Sequence, residues 1–293
     1  MLTTWAICAT AQQPTDSTRS WTAVEQALGR NGAMQPGGVM RFGFPRSDLT
    51  VTLDGVTLKP ALALGGWLAF KPLAANSALV MGDLVLTENE VAQVMTALQA
   101  GGVEQTAVHN HLLGESPHVM YMHVMARGNA AAIATTVRQA LASSSTPLTA
   151  PAAPTAPATV QLDTAGIARA LRVSGRLNGG VYQVSVPRRE RITVMGEEIP
   201  PSLGVATGIN FQPTGGGKAA ITGDFVLRSS EVTPVMRALR NGGIAVTALH
   251  SHMVDERPRL FFMHFWANDD AVRLATALRA ALDIMSRTDP SMR

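Results

Sequence analysis

The sequence predicts an α+β protein built from one domain used twice, and three observations carry that prediction. A block recurs without a gap: Phe70, Pro72, Gly82, Asp83, Val85, Leu86, Glu90, Val91, Met95, Leu98, Gly101 and Gly102 return as Phe211, Pro213, Gly223, Asp224, Val226, Leu227, Glu231, Val232, Met236, Leu239, Gly242 and Gly243. The offset is 141 residues throughout, which marks a duplication. Between the copies, Ser143 to Ala158 is rich in proline and small polar residues and poor in large apolar ones, the composition of an extended tether. Inside each copy, period-two segments come first and a helix, a hairpin and a second helix follow. The expected organisation is a leader remnant at 1–18, a first repeat at 19–142, a linker at 143–158 and a second repeat at 159–293.

Alternation places strands at Gly38 to Phe44, Leu49 to Leu53, Gly66 to Lys71 and Ala78 to Leu86. Their second-half counterparts are Gly180 to Val186, Arg191 to Met195, Gly204 to Phe211 and Ala219 to Leu227. Asp54-Gly55 reads as a hairpin turn. Next, Thr87 and Glu90 have capping-box spacing, Val91, Val94, Met95 and Leu98 form an apolar stripe, and Gly101-Gly102 supplies the stop. The closing helices run from Asn129 to Leu141 and from Asp270 to Leu282, with Asn129 and Asp270 as N-caps. Each repeat is therefore expected to be a mainly antiparallel sheet with two helices and a hairpin.

That hairpin holds all seven histidines of the chain. The first carries His109, His111, Glu115, His118 and His123, and the second His250, His252, Glu256 and His264. On a strand, His109 and His111 share one face roughly 6 to 7 Å apart, close enough to reach one ion. If the return strand brings His123 beside them, three nitrogens and the Glu115 oxygen converge, and the same holds for His250, His252, His264 and Glu256. Two histidines on a strand can also simply hydrogen-bond across a sheet. Retention of the whole set at one spacing favours metal, because packing alone needs aliphatic or aromatic side chains. Zinc suits nitrogen-rich ligation without cysteine, with copper or nickel as the other candidates. His118, replaced by Arg259 in the second copy, reads as a rim residue.

Asp83 and Asp224 interrupt apolar strands. Each is a candidate general base, metal ligand or partner orienting a histidine, or else it caps a bulge made by the preceding glycine. Gly215-Gly216-Gly217-Lys218 lacks the remainder of a phosphate-binding loop and reads as a turn.

The chain resembles the DUF1259 group, also called the LppY/LpqO family, on His-x-His-x-x-x-Glu-x-Pro together with the preceding Gly-Asp, from Gly82 to Gly128 and again from Gly223 to His264. The resemblance covers nearly everything between Trp21 and Leu282 and implies an exported bacterial protein. The histidine set also loosely resembles the metal motif of cupins. Cupins take their last histidine from a later strand, so this second likeness concerns chemistry and not fold.

Length and composition fit a globular protein with two ordinary cores. No apolar run is long enough to span a bilayer. The net charge of +3 and the scattered arginines argue against nucleic acid as a partner. Ala9-Thr10-Ala11 resembles the end of a secretory leader whose charged start and apolar core are missing, so a true start upstream and a periplasmic or secreted product are expected. A frayed cytoplasmic N-terminus is the alternative. Cys8, the only cysteine, falls inside that segment in a poor setting for lipid attachment, so no disulfide is expected. The function expected is metal or small-ligand binding, with a metal-dependent hydrolase or oxygenase, or a structural or interaction protein, as alternatives. The repeats are expected to pack as an intrachain pseudo-dimer.

Overall fold

The computed structural model describes residues 21–149 and 160–287, so the segment expected as a leader, Cys8 and the linker stretch 150–158 lie outside the described residues. The first half runs α1 (Thr22–Leu28), β1 (Ala33–Gln35), β2 (Val39–Pro45), β3 (Thr52–Leu53), β4 (Val56–Thr57), β5 (Gly65–Pro72), β6 (Ser77–Thr87), α2 (Glu88–Ala100), β7 (Glu104–His109), β8 (Val119–Asn129) and α3 (Ala130–Leu141). The second half repeats it as α4 (Thr164–Leu171), β9 (Arg176–Asn178), β10 (Val181–Pro187), β11 (Thr193–Val194), β12 (Glu197–Glu198), β13 (Ala206–Gly215), β14 (Lys218–Leu227), α5 (Ser229–Asn241), β15 (Ala245–His250), β16 (Phe261–Asp270) and α6 (Ala271–Arg287). Each half folds one antiparallel six-stranded sheet, in the order β1-β2-β5-β6-β8-β7 and β9-β10-β13-β14-β16-β15. Among the described residues no helix is long and apolar enough to cross a membrane.

Each half has three helices, where two were expected. Helix α1 buries Val24 and Leu28 and stops at Gly29 in the left-handed region, and α4 buries Ile167 and Leu171 behind an Asp163 N-cap. Both are too short to show a periodic stripe; each is held by packing on the final helix of its half. Asn129 and Asp270 cap α3 and α6 through bonds from the Ala132 and Arg273 amides. Glu90 accepts from the Thr87 amide at 2.8 Å and Glu231 from the Arg228 amide at 2.7 Å. Arginine has no acceptor, so the box at α5 keeps only its glutamate half.

The same glutamates close buried ion pairs that the periodicity gave no sign of. Arg46, with no exposed side-chain surface, donates to Glu90 at 2.7 Å and to Asp48 at 2.8 Å. Arg188 repeats this with Glu231 at 2.8 Å and with Glu190. Glu90 also accepts from the Ser145 amide, and Arg30 donates to the Pro147 carbonyl, so residues 143–149 follow the surface of the first half.

Strand alternation sorts the core. One face of the first sheet, with Phe42, Phe70, Val80, Leu84, Met122 and Val124, packs under helices α1, α2 and α3. The opposite face supplies Val39, Ala69, Leu79, Met81 and Met125 to a cluster with Ile192, Val194, Ile199, Leu203 and Phe262 of the second half. Reciprocally, Val51, Leu53, Leu58 and Leu62 of the β3–β4 arm join Val181, Ala220 and Trp266. The segment expected as a strand from Leu49 to Leu53 is thus mostly an arm laid against the other half, with pairing confined to Thr52–Leu53. Gln212 bonds the Lys59 amide and the Thr57 carbonyl, both at 2.8 Å, while Lys71 and Arg127 meet Glu197 from the other arm. Burial of one Val or Leu contributes about 1.5–3 kcal/mol, against about 1 kcal/mol for a hydrogen bond, so the two shared clusters dominate the association.

Candidate metal centre

The inner faces of the two sheets meet at the histidine hairpins. Strands β7 and β15 run as edges beside each other: Thr106 donates to the His252 carbonyl and Thr247 to the His111 carbonyl, both at 2.5 Å. This exchange brings the six repeated histidines to one place. His109 stacks on His250 at 3.6 Å between ring centres, His111 on His264 at 3.8 Å and His123 on His252 at 3.7 Å. His109 faces its own counterpart, while each His-x-His second member faces the return-strand histidine of the other half. Within a half two ring planes are nearly parallel, His109 and His123 at 6° and His250 and His264 at 9°, while His111 is tilted by 41° from His109 and His252 by 36° from His250. Two rows of three imidazoles are therefore laid face to face.

Alternation positions the return-strand members: His123 lies on β8 with Tyr121 and Met125 facing inward, and His264 lies likewise on β16. His111 was expected within the strand but falls beyond it, because β7 ends at His109 and Asn110 turns the chain with a bond to the Leu112 carbonyl. His111 stacks on Tyr121 at 3.4 Å and His252 on Phe262 at 3.3 Å. His264 Nδ1 lies 2.9 Å from the Gly223 carbonyl, which places the ring proton there and leaves Nε2 as a lone pair.

Both ring nitrogens of His109 and of His250, and Nε2 of His111, His123, His252 and His264, are buried with no hydrogen-bond partner. Three triads have ligand atoms all within 4.8 Å of one another: His109, His111 and His123; His109, His250 and His264; and His123, His250 and His252. Two of the three draw on both halves. Burial pushes His250 down to about 4, and burial with the adjacent His250 ring pushes His264 to about 3. Burial, then the neighbouring imidazoles, holds His109, His111, His123 and His252 far below the ordinary range. The cluster is neutral at physiological pH, the protonation state in which imidazole offers its lone pair to a metal.

The glutamates behave otherwise than the hairpin spacing predicts. Glu256 accepts from the Leu260 amide at 2.8 Å and from Arg259 at 3.2 Å, and Glu115 lies 3.4 Å from the Val119 amide. Neither joins a ligand triad. Each sits four residues before an amide at the start of the return segment that needs an acceptor; the turn takes the Glu256 carboxylate and Glu115 Oε1, while Glu115 Oε2 is buried with no hydrogen-bond partner. His118 lies half-exposed at the rim, 3.5 Å from both Glu88 and Glu115.

The aspartates do reach the imidazoles. Asp83 lies 3.6 Å from His111 Nε2 and 4.0 Å from His123 Nε2, and Asp224 lies 3.9 Å from His252 Nε2. Gly82 and Gly223 sit in unbroken ladders, so these carboxylates cap no bulge. A Cβ on Gly223 would stand 1.9 Å from the Gly208 carbonyl, which explains the glycine. Burial, then the facing Asp224, pushes Asp83 well above the carboxylate range, and burial pushes Asp224 up to about 7. Beside them Arg41 lies over the Trp67 ring at 4.0 Å and donates to the Ser202 carbonyl. Sequence reasoning passed over Arg41, Thr106, Thr247 and the Arg46 and Arg188 pairs; the repeated Pro45-Arg46 and Pro187-Arg188 was the available signal for the last two.

Among curated proteins none matches the chain. Of solved structures, a trimeric bacterial microcompartment shell protein, PduB, aligns at 14% identity over 87% of this chain and 90% of its own, with a TM-score of 0.22. EtuB from Clostridium kluyveri aligns at 11% identity over 87% and 91%, with a TM-score of 0.21. The family described as "Domain of Unknown Function (DUF1259)" matches twice, at residues 22–143 and 165–284. Both regions run from the first helix of a repeat into its last and include the three histidines common to the two halves, and the chain belongs to the DUF1259 family as two tandem copies.

Proposed function

We propose that this is an exported metal-binding protein whose centre is assembled jointly by the two repeats, which pack as an intrachain pseudo-dimer. The observation that carries the reading is the set of buried, unpartnered imidazole nitrogens turned toward one another. Leaving one such group unsatisfied costs about 1–3 kcal/mol, and a metal ion relieves several at once. Zinc is the default ion because it takes neutral imidazole in tetrahedral sites, with copper and nickel as the other candidates. Elemental analysis of tag-free protein tests the reading, with titration of the chelated protein as its complement. Bound transition metal that is lost when His111 and His252 are both replaced by Ala is the expected result. Protein that neither retains nor takes up metal, yet loses stability on that double substitution, would leave the histidines a purely structural role.

A second reading, metal-dependent hydrolysis or oxygenation, is favoured by the buried Asp83 and Asp224 beside the ligands. Were a metal ion held by these imidazoles, the two carboxylates, whose proton affinity burial raises, would stand where they could accept a proton from water activated by it. Hydrolysis of activated esters by the zinc-loaded protein, abolished by Asp83→Asn or Asp224→Asn with metal content unchanged, would move the reading to this class.

A further inference from the structure

The geometry points to two metal ions in this centre, joined by an imidazole of the central His109/His250 pair. The inference rests on the metal-binding reading above and goes beyond it in stoichiometry and in the role given to two residues. Ligands of one ion all stand within about 4.2 Å of each other, twice a metal–nitrogen bond of about 2.1 Å. Among the described residues the largest mutually close sets are triads, within a limit of 4.8 Å, although six histidines are gathered here. A single ion therefore leaves half of the imidazoles unused, with their buried nitrogens unsatisfied.

The triads overlap in an informative way. The sets His109, His111, His123 and His109, His250, His264 share His109; the sets His109, His250, His264 and His123, His250, His252 share His250; and the first and last of these share His123. Of these three shared residues, His109 and His250 are the ones with both ring nitrogens buried and unpartnered; His123, like His111, His252 and His264, leaves only Nε2 in that state and so cannot bridge. A neutral imidazole carries one lone pair and one N–H, so one ion at His109 or His250 still strands the second nitrogen. Loss of that proton to solvent gives imidazolate, and each nitrogen then donates one electron pair to one ion. No bond within the ring is made or broken and no redox partner is required. The stacking of His109 on His250 at 3.6 Å puts both potential bridges at the centre of the two rows, with a pair of imidazoles on either side.

Copper(II) is the probe, because two copper ions joined through imidazolate couple magnetically. Chelated full-length protein is titrated while stoichiometry is followed by native mass spectrometry and the spin signal by electron paramagnetic resonance. Two equivalents are expected, with a mononuclear signal growing through the first and falling as the second binds. The double variant His109→Gln, His250→Gln, checked for native circular dichroism, is expected to lose the coupling. Saturation at one equivalent overturns the two-ion centre, and two equivalents with simply additive signals overturn the bridge. In both cases metal binding itself stands. Absence of any bound copper, zinc or nickel would instead overturn the metal-binding reading. Should the variant fail to fold, the titration of the unmodified protein decides by itself.

Discussion

In the first half Trp67 stands opposite Asp83 in the β5–β6 ladder and carries Arg41 over its ring; in the second half Gly208 faces Asp224, and Gln183 takes the place of Arg41. Tyr121 behind His111 becomes Phe262 behind His252, and His118 becomes Arg259. All six inner histidines and both aspartates are nevertheless kept. The halves therefore agree on the donor atoms and differ in what encloses them. One consequence is visible in exposure: the Asp224 side chain is 19% exposed and Asp83 is 9%. A Cβ on Gly208 would meet only Asp224, so the second half is the more open one beside its aspartate.

The strongest test of how far the halves depend on each other is to separate them. Fragments 19–149 and 159–293 each expose the inner sheet face and the arm that the other covers. We expect neither to show a cooperative native transition alone and the mixture to recover one. Two stable monomers that ignore each other would replace the shared core with independent domains.

Acidification ranks next. In the unfolded chain histidines titrate near 6.5, whereas the six inner ones are held lower in the fold, so below about pH 6.5 the unfolded state binds more protons and stability falls as pH drops. The aspartates oppose this. With Asp224 raised to about 7 and Asp83 also raised, the fold holds two protons that the unfolded chain lacks between the ordinary carboxylate range and neutrality. Six groups outnumber two, so the metal-free protein should lose melting temperature steadily from about pH 6.5 toward 4. A flat or inverse profile would contradict the neutral, buried cluster.

Arg46→Ala and Arg188→Ala each strip a buried glutamate of its partner, and each should cost about 3–5 kcal/mol in chemical denaturation. Similar losses would show that the two ion pairs are equivalent; a much smaller loss at Arg188 would show that the halves have diverged in stability as well as in lining. Smallest is the Tyr121 hydroxyl, which donates to the Ala63 carbonyl at 2.9 Å. Tyr121→Phe, which copies the second half, should cost about 1 kcal/mol and leave metal stoichiometry unchanged.

Much of this molecule was legible in the sequence for a definite reason. The gapless recurrence fixes two copies, period-two segments fix β2, β5, β6 and their equivalents to within a residue or two except at the end of β13, which runs four residues further to Gly215, and Asn129, Asp270, Glu90 and Glu231 mark the helix starts by local hydrogen bonding. The chain also names the inner histidines and aspartates as candidates for one site, and the β6–β8 register then sets Asp83 opposite His123 on one face. What alternation cannot give is the identity of the surface opposite that face. Only the tertiary structure decided that the opposing surface is the other repeat, that His111 meets His264 and His123 meets His252, and that Glu115 and Glu256 serve their own turns. The histidine contacts join residues more than a hundred positions apart through the packing of two apolar sheet faces, and neither periodicity nor spacing within one hairpin encodes such a meeting.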